Sequence, residues 1–152
     1  MSARKSDVST ILGLCCLAII LVALLAGIQR QRGSSGAVTL QSNGHQYVLK
    51  VAARPAQQHL GLGRIQSLPS SQGMFFIFER PAVQCFWMKD MHFPLDMIWV
   101  SSTHRVEHVQ TDVRPSTYPH TFCPNVQAEY VIELNAGQAV RASIHTGETL
   151  HF

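Results

Sequence analysis

The stretch ILGLCCLAIILVALLAGI, residues 11–28, carries no charged or strongly polar side chain. No other feature constrains the chain as much. As a helix its residues would span ~27 Å at about 1.5 Å each. With the residues just before it, that matches a hydrocarbon core of about 30 Å. A buried core helix of this length would show a polar face, and none is present. A cleaved signal peptide is the competing reading. The stretch exceeds the usual h-region of about 7–15 residues, and the exit at Ala26–Gly27 lacks a small residue at the −3 position. Cys15 and Cys16 lie inside the stretch and read as apolar-tolerant thiols rather than a lipid-attachment site. The expected organisation is a tail over 1–8, a transmembrane helix over 9–28, a flexible linker over 29–37 and a folded domain over 38–152. The bilayer is then the expected partner of residues 9–28. Arg4 and Lys5 face Arg30 and Arg32 across it, and the free amine tips the balance towards an N-inside orientation. That places a single-pass protein in the cell membrane, with its domain outside the cytoplasm.

The net charge of +3 belongs to the N-terminus, where residues 1–32 hold four basic side chains against Asp7. Residues 33–152 hold eight basic and eight acidic side chains. A domain with no charge excess has nothing to neutralise phosphates with, so no nucleic-acid partner is expected.

QRQRGSSG, residues 29–36, has the composition of a flexible linker. Beyond it the chain reads as many short strands. Two β-type runs flank Asn43–Gly44, a strong short hairpin signal. Residues 54–62 predict a short helix with Pro55 in its first turn. GMFFIFE, residues 73–79, predicts a strand buried on both faces. CFWMK and LDMIWVS predict two more strands, separated by a bend at His92–Phe93–Pro94. RVEHVQTDV alternates as a strand. The loop RPSTYPHTFCPN is stiffened by Pro115, Pro119 and Pro124. EYVIELNAG returns to strand, QAVRASI suits a second short helix, and TGETLHF a last turn and strand. The expected fold class is mainly β, a compact barrel-like or sandwich domain with one or two short helices.

Eight histidines invite a metal, but the spacing does not support one. His104 and His108 would lie about 13 Å apart along a strand, too far to share a metal at about 2 Å each. Neither H-E-x-x-H nor C-x-x-C occurs, so no metal and no cofactor is expected. Cys85 and Cys123 are the only cysteines after residue 32. In an exported domain two thiols tend to pair, and a Cys85–Cys123 disulfide is expected. It would close a loop of about 38 residues, worth about 4 kcal/mol in the chain-entropy model.

Side-chain alternation places Asp96 with Ile98 and Val100, Glu133 with Val131 and Asn135, and Lys89 with Trp87 and Cys85. If those faces converge, Asp96 and Glu133 form an acid/base pair beside a Trp platform, as a hydrolase would need. The alternative is structural. A buried Asp96 would accept backbone N–H bonds or pair with Lys89 or an arginine, since an unpaired buried charge costs several kcal/mol. The expectation favours mutual pairing among Lys89, Asp90 and Asp96.

The segments GLGRIQSLPSSQGMFFIF, FWMKDMHFPLDMIWV and EYVIELNAG together resemble domain-of-unknown-function family 192. Its pattern runs through a G-L segment, L-P, G-M-L-F-x-F, a specific F-W-M-K-[ND]-[TM] block and a Y-V-L-E-x-[NA]-A-G segment. Gly61, Leu62, Gly73, Met74, Phe86 to Asp90, Asp96, Tyr130, Glu133 and Gly137 fall on it. The resemblance covers nearly all of residues 40–152. Members often carry an arginine where this chain has Ile65, with Arg64 one step early. The resemblance implies a mainly β, barrel-like domain, often behind an N-terminal membrane segment, and supplies no activity. The expected function is a binding or accessory module of the envelope, with Trp87, Lys89, Asp96, Glu133 and Asn135 as candidate ligand-binding residues. A hydrolase using Asp96 and Glu133, or a structural domain without ligand, are the alternatives.

Overall fold

The computed structural model describes residues 36–152. The expected membrane helix over 9–28 lies outside the described residues, as do the tail and most of the linker. Among the described residues no helix is long and apolar enough to cross a membrane.

Eight strands and two short helices follow in chain order: β1 Ala37–Ser42, β2 His45–Ala52, α1 Pro55–Leu60, β3 Gln72–Ala82, β4 Phe86–Trp87, β5 Leu95–Val100, β6 Val106–Val113, β7 Thr121–Phe122, β8 Ala128–Asn135 and α2 Gln138–Arg141. Local chemistry explains most of the boundaries. Asn43 and Gly44 take φ values of 46° and 77°, the paired positive values a type I′ hairpin turn needs. Ser42 therefore faces His45 across β1 and β2. Pro55 opens α1, where its missing N–H costs nothing, and the backbone N–H of Arg54 donates to Oε1 of Gln57. Gly61 ends the helix at a positive φ of 53°. The Pro-rich loop holds a 3₁₀ turn, Pro115–Thr117, before β7.

Six strands form one sheet in the order β1-β2-β3-β8-β5-β6, and β4 pairs with β7 as a separate ribbon. All neighbouring pairs in the sheet are antiparallel except β2 and β3. The domain is mainly β with two short helices, as expected, but the sheet is not closed into the expected barrel. The sheet stays open, with β1 and β6 at its edges. Among the described residues only isolated bridges from the C-terminal residues reach those edges, Gln41 of β1 to His151 and Arg105, just before β6, to Thr149.

Each face of the sheet carries a core. Leu40, Leu49, Phe75, Ile98 and Ile132 pack on one face beneath Ala139 and Ala142, from α2 and its C-cap. Met74, Phe76, Met97, Trp99 and Val131 pack on the other, beneath Leu62, Phe86 and Met88. Strand β5 is buried at all six positions. That accounts for its apolar sequence, broken only by Asp96, since a central strand covered on both faces has no solvent side to mark with polar residues. Gly73 is required where β3 enters the sheet: a Cβ there would collide with the Glu133 carbonyl oxygen and lie 2.7 Å from Leu49. Real side chains do not approach so closely, so only glycine lets β3 fit between its neighbours.

Cys85 and Cys123 form a disulfide spanning 38 residues. It flanks the β4–β7 ribbon, whose strands are two residues each. So short a ribbon has few ladder bonds of its own, and the crosslink with the burial of Phe86 holds it on the sheet.

Candidate functional site

The site is built around Glu133. Its cross-strand neighbours are Met74 on β3 and Met97 on β5, so its side chain rises on the face bearing Phe76 and Trp99. The residue is 4% exposed, and its Oε2 atom has no hydrogen-bond partner among the described residues. Burial pushes its pKa up from 4.5 to about 8. An ionised carboxylate is poorly solvated there, and none of the described residues forms an ion pair with it to compensate. At neutral pH Glu133 is therefore mostly a neutral acid, able to donate one hydrogen bond and accept others.

This carboxyl lines a cleft of about 260 Å³ that also takes in α1, the Gly61 turn and β4. The Gly61 turn forms one wall. A Cβ on Gly61 would sit 3.7 Å from Oε2 of Glu133 and 3.5 Å from the Phe76 ring, so a side chain here would narrow the approach to the acid. The turn is fixed to the turn that follows β4: the Arg64 N–H donates to the Asp90 carbonyl at 2.8 Å. Phe86 packs edge-on against Phe76, with centroids 4.9 Å apart. At the rim Trp87 is 40% exposed, and the His59 ring meets it edge-on at 5.7 Å. Lys89 is exposed, lines the same cleft and pairs with no acid among the described residues.

Of the expected site residues, the fold brings together Trp87, Lys89 and Glu133, with Cys85 beside them. It does not bring Asp96 to them. Asp96 pairs across the ladder with Leu134, one residue on from Glu133, and therefore projects from the opposite face. The acid/base pair of a two-carboxylate hydrolase does not assemble. Asp96 is fully buried and its oxygens accept two backbone N–H groups, from Asp112 at 3.0 Å and Ala139 at 2.9 Å. The Asp112 N–H is freed by a β-bulge, where the β5–β6 register shifts and Asp112 takes a φ of 50°. Ala139 is the second residue of α2, whose N-cap, Gly137, has no side chain to cap with. Asp96 thus ties a bulge on β6 to the start of α2.

The expected mutual pairing of Lys89, Asp90 and Asp96 is likewise replaced. Asp90 lies 3.6 Å from Arg64 in an exposed pair, Lys89 faces the cleft, and Asp96 binds backbone. Strand alternation could not show this, because Lys89 and Asp90 lie in a turn beyond β4. Asn135 is also structural: its Nδ2 donates to the carbonyls of Leu68 and Pro69 at 2.7 and 3.3 Å. Residue-by-residue reading overlooked Gln58, His59 and Gln84, which line the cleft. Gln58 and His59 stand on a helix with no buried residue, and nothing local marks them. Gly61 was legible through the G-L segment of the family pattern.

Two solved structures share the fold. One is a candidate transcription regulator from Sinorhizobium meliloti 1021, 26% identical, with a TM-score of 0.69, covering 76% of this chain and 91% of that one. The other is a protein of unknown function from Novosphingobium aromaticivorans DSM 12444, 27% identical, with a TM-score of 0.68, covering 76% and 84%. A comparison with curated proteins found no match. The model of DUF192, described as an uncharacterized ACR, matches residues 38–152, from the first strand to the last residue, and this chain belongs to that family.

Proposed function

We propose that the domain is a small-ligand-binding module of the cell envelope, held outside the cytoplasm by a membrane-spanning segment over residues 9–28, with the Glu133 cleft as its site. The observation that carries the binding reading is the unpartnered, buried Glu133 carboxyl on the cleft wall. A buried polar group without a partner costs about 1–3 kcal/mol, a cost that a ligand's donor or acceptor would offset. A concave site with aromatic walls and few polar groups is the usual form of a small-molecule site. A regulatory role on nucleic acid, which the description of the Sinorhizobium protein suggests, suits this chain less well, since residues 33–152 balance eight basic against eight acidic side chains.

The binding reading is tested by ¹H–¹⁵N correlation spectra of the full-length chain in detergent micelles, titrated with a library of small fragments. Shifts are expected at the amides of Gly61 and Glu133 and at the Trp87 indole, and Trp87→Ala should weaken the affinity read at the Gly61 and Glu133 amides at least five-fold. A library that leaves these resonances in place overturns the reading. The anchoring is tested by alkaline extraction of membranes: the full chain should stay in the pellet and a chain starting at residue 29 should be released. Release of both would refute the anchor.

A further inference from the structure

Resting on that reading, we infer that the Glu133 cleft takes a neutral, hydroxyl-bearing ring, the sugar unit of a saccharide, in preference to an amine or a carboxylate. Three features of the cleft carry this. The first is the hydrogen-bonding character of its inner wall. Among the described residues Glu133 forms no ion pair and its Oε2 receives no hydrogen bond, so none of them pairs with the ionised form. A neutral carboxyl both donates and accepts, and a sugar hydroxyl does the same. An ammonium ligand would have to ionise a group that burial holds neutral, and would bring its charge beside Lys89. A carboxylate ligand would be drawn towards Lys89, but that side chain is exposed to solvent, where ionic screening weakens the attraction.

The second is the platform. Trp87 offers a partly exposed ring braced edge-on by His59. A flat aromatic face suits the C–H face of a saccharide ring, while the hydroxyl edges reach the polar groups. Those groups are available. Gln58 donates its Nε2 to the Ile77 carbonyl at 2.7 Å, which fixes the side chain and leaves its Oε1 to accept. Gln84 engages Trp99 through its backbone carbonyl, and its side-chain amide has no protein partner among the described residues. The third is size. A cleft of about 260 Å³ lies below the ~300–1,000 Å³ usual for drug-sized ligands, and so suits one ring rather than an extended chain.

The test uses the full-length chain in detergent micelles at pH 6.5 and follows the Trp87 indole resonance. Glucose and N-acetylglucosamine serve as neutral rings, glucosamine as the cation and glucuronate as the anion. A neutral ring should bind at least ten-fold more tightly than either charged one. Glu133→Gln, whose amide also donates and accepts, should keep the affinity within about three-fold, and Glu133→Ala should lose it. Above pH 8 the wild type should weaken while Glu133→Gln does not. The other titratable groups that line the cleft are His59 on α1 and Lys89 beyond β4, since β3 and β5 present Met74, Phe76 and Met97 beside the acid. Both remain in the variant, so its flat profile separates their titration from that of Glu133. Tightest binding by glucosamine, abolished in Glu133→Gln, would overturn the ligand class and leave the cleft reading standing. If no ring moves the Trp87 indole while the fragment library does, the saccharide assignment falls alone. If neither moves it, both fall.

Discussion

Asp96→Ala is expected to lower the unfolding free energy by about 3–6 kcal/mol, the sum of two hydrogen bonds to a charged acceptor at about 1.5–3 kcal/mol each. The carboxylate is fully buried and serves two elements distant in sequence, the β6 bulge and the start of α2. Truncation strands the N–H groups of Asp112 and Ala139 without acceptors and opens a small cavity on the same core. Asp96→Asn should lose less, because its amide oxygen keeps one of the two bonds while its NH₂ faces a donor. Denaturant titration followed by tryptophan fluorescence measures both. Because Asp96 lies across the sheet from the cleft, Asp96→Asn should leave ligand-induced shifts at Trp87 unchanged. A loss under about 1 kcal/mol for Asp96→Ala would mean that the two backbone bonds contribute little net stability.

Glu133 should behave in the opposite way. Its pKa is 4.5 in the ordinary state and about 8 in the fold, so the folded chain holds the proton more tightly than the unfolded chain. The stability this gives is fully present below about pH 4.5 and is lost as pH rises through about 8. Between those limits the slope approaches about 1.4 kcal/mol per pH unit. Glu133→Gln removes the titration and should flatten the curve, with the variant the more stable protein at pH 9. Thermal melts from pH 4 to 9 on both proteins give the comparison, and parallel curves would refute an unpartnered buried acid. Glu133→Met should stabilise at neutral pH by about 1–3 kcal/mol, the usual cost of an unsatisfied buried group, and should abolish binding in the cleft. A side chain that stabilises the fold when removed and disables the site is what a stability–activity trade-off predicts.

Much of the fold was legible before any coordinates. The Asn43–Gly44 turn, the proline at the start of α1, the continuous apolar run of β3, the apolar β5 around Asp96 and the β8 segment all appear where local rules place them. The Cys85–Cys123 pairing was also legible, because only two cysteines follow residue 32. Sheet closure was not. Counting short strands cannot distinguish an open sheet from a barrel, since closure depends on which strands lie at the edges. Here β1 and β6 lie there, and among the described residues only the last few reach them.

Half of the candidate site was legible in the same sense. Trp87, Lys89 and Glu133 attracted notice as polar or aromatic residues within apolar runs, and they do share a cleft. Asp96 attracted notice for the same reason and turned out to hold backbone. Asn135 shares a strand face with Glu133, yet it secures the Leu68–Pro69 loop. What separates a site residue from a structural one here is the presence or absence of a partner, and partners come from segments remote in sequence.

By itself, then, the sequence determined the longer strands and the Asn43–Gly44 turn and pointed to the disulfide, because hydrophobic period, glycine and proline geometry and cysteine count act locally. The strand expected in TGETLHF is two isolated bridges, CFWMK pairs only at Phe86–Trp87, and β7 lies within the expected Pro-rich loop. Only the tertiary structure decided which acid is satisfied and which is not. The register that sets Met97 opposite Glu133 and Asp96 opposite Leu134 sends the two carboxyls to opposite faces of one sheet. On one face the bulge and helix start supply Asp96 with donors. On the other, the Gly61 turn and the β4 ribbon enclose Glu133 without supplying any for its Oε2, and so form the cleft.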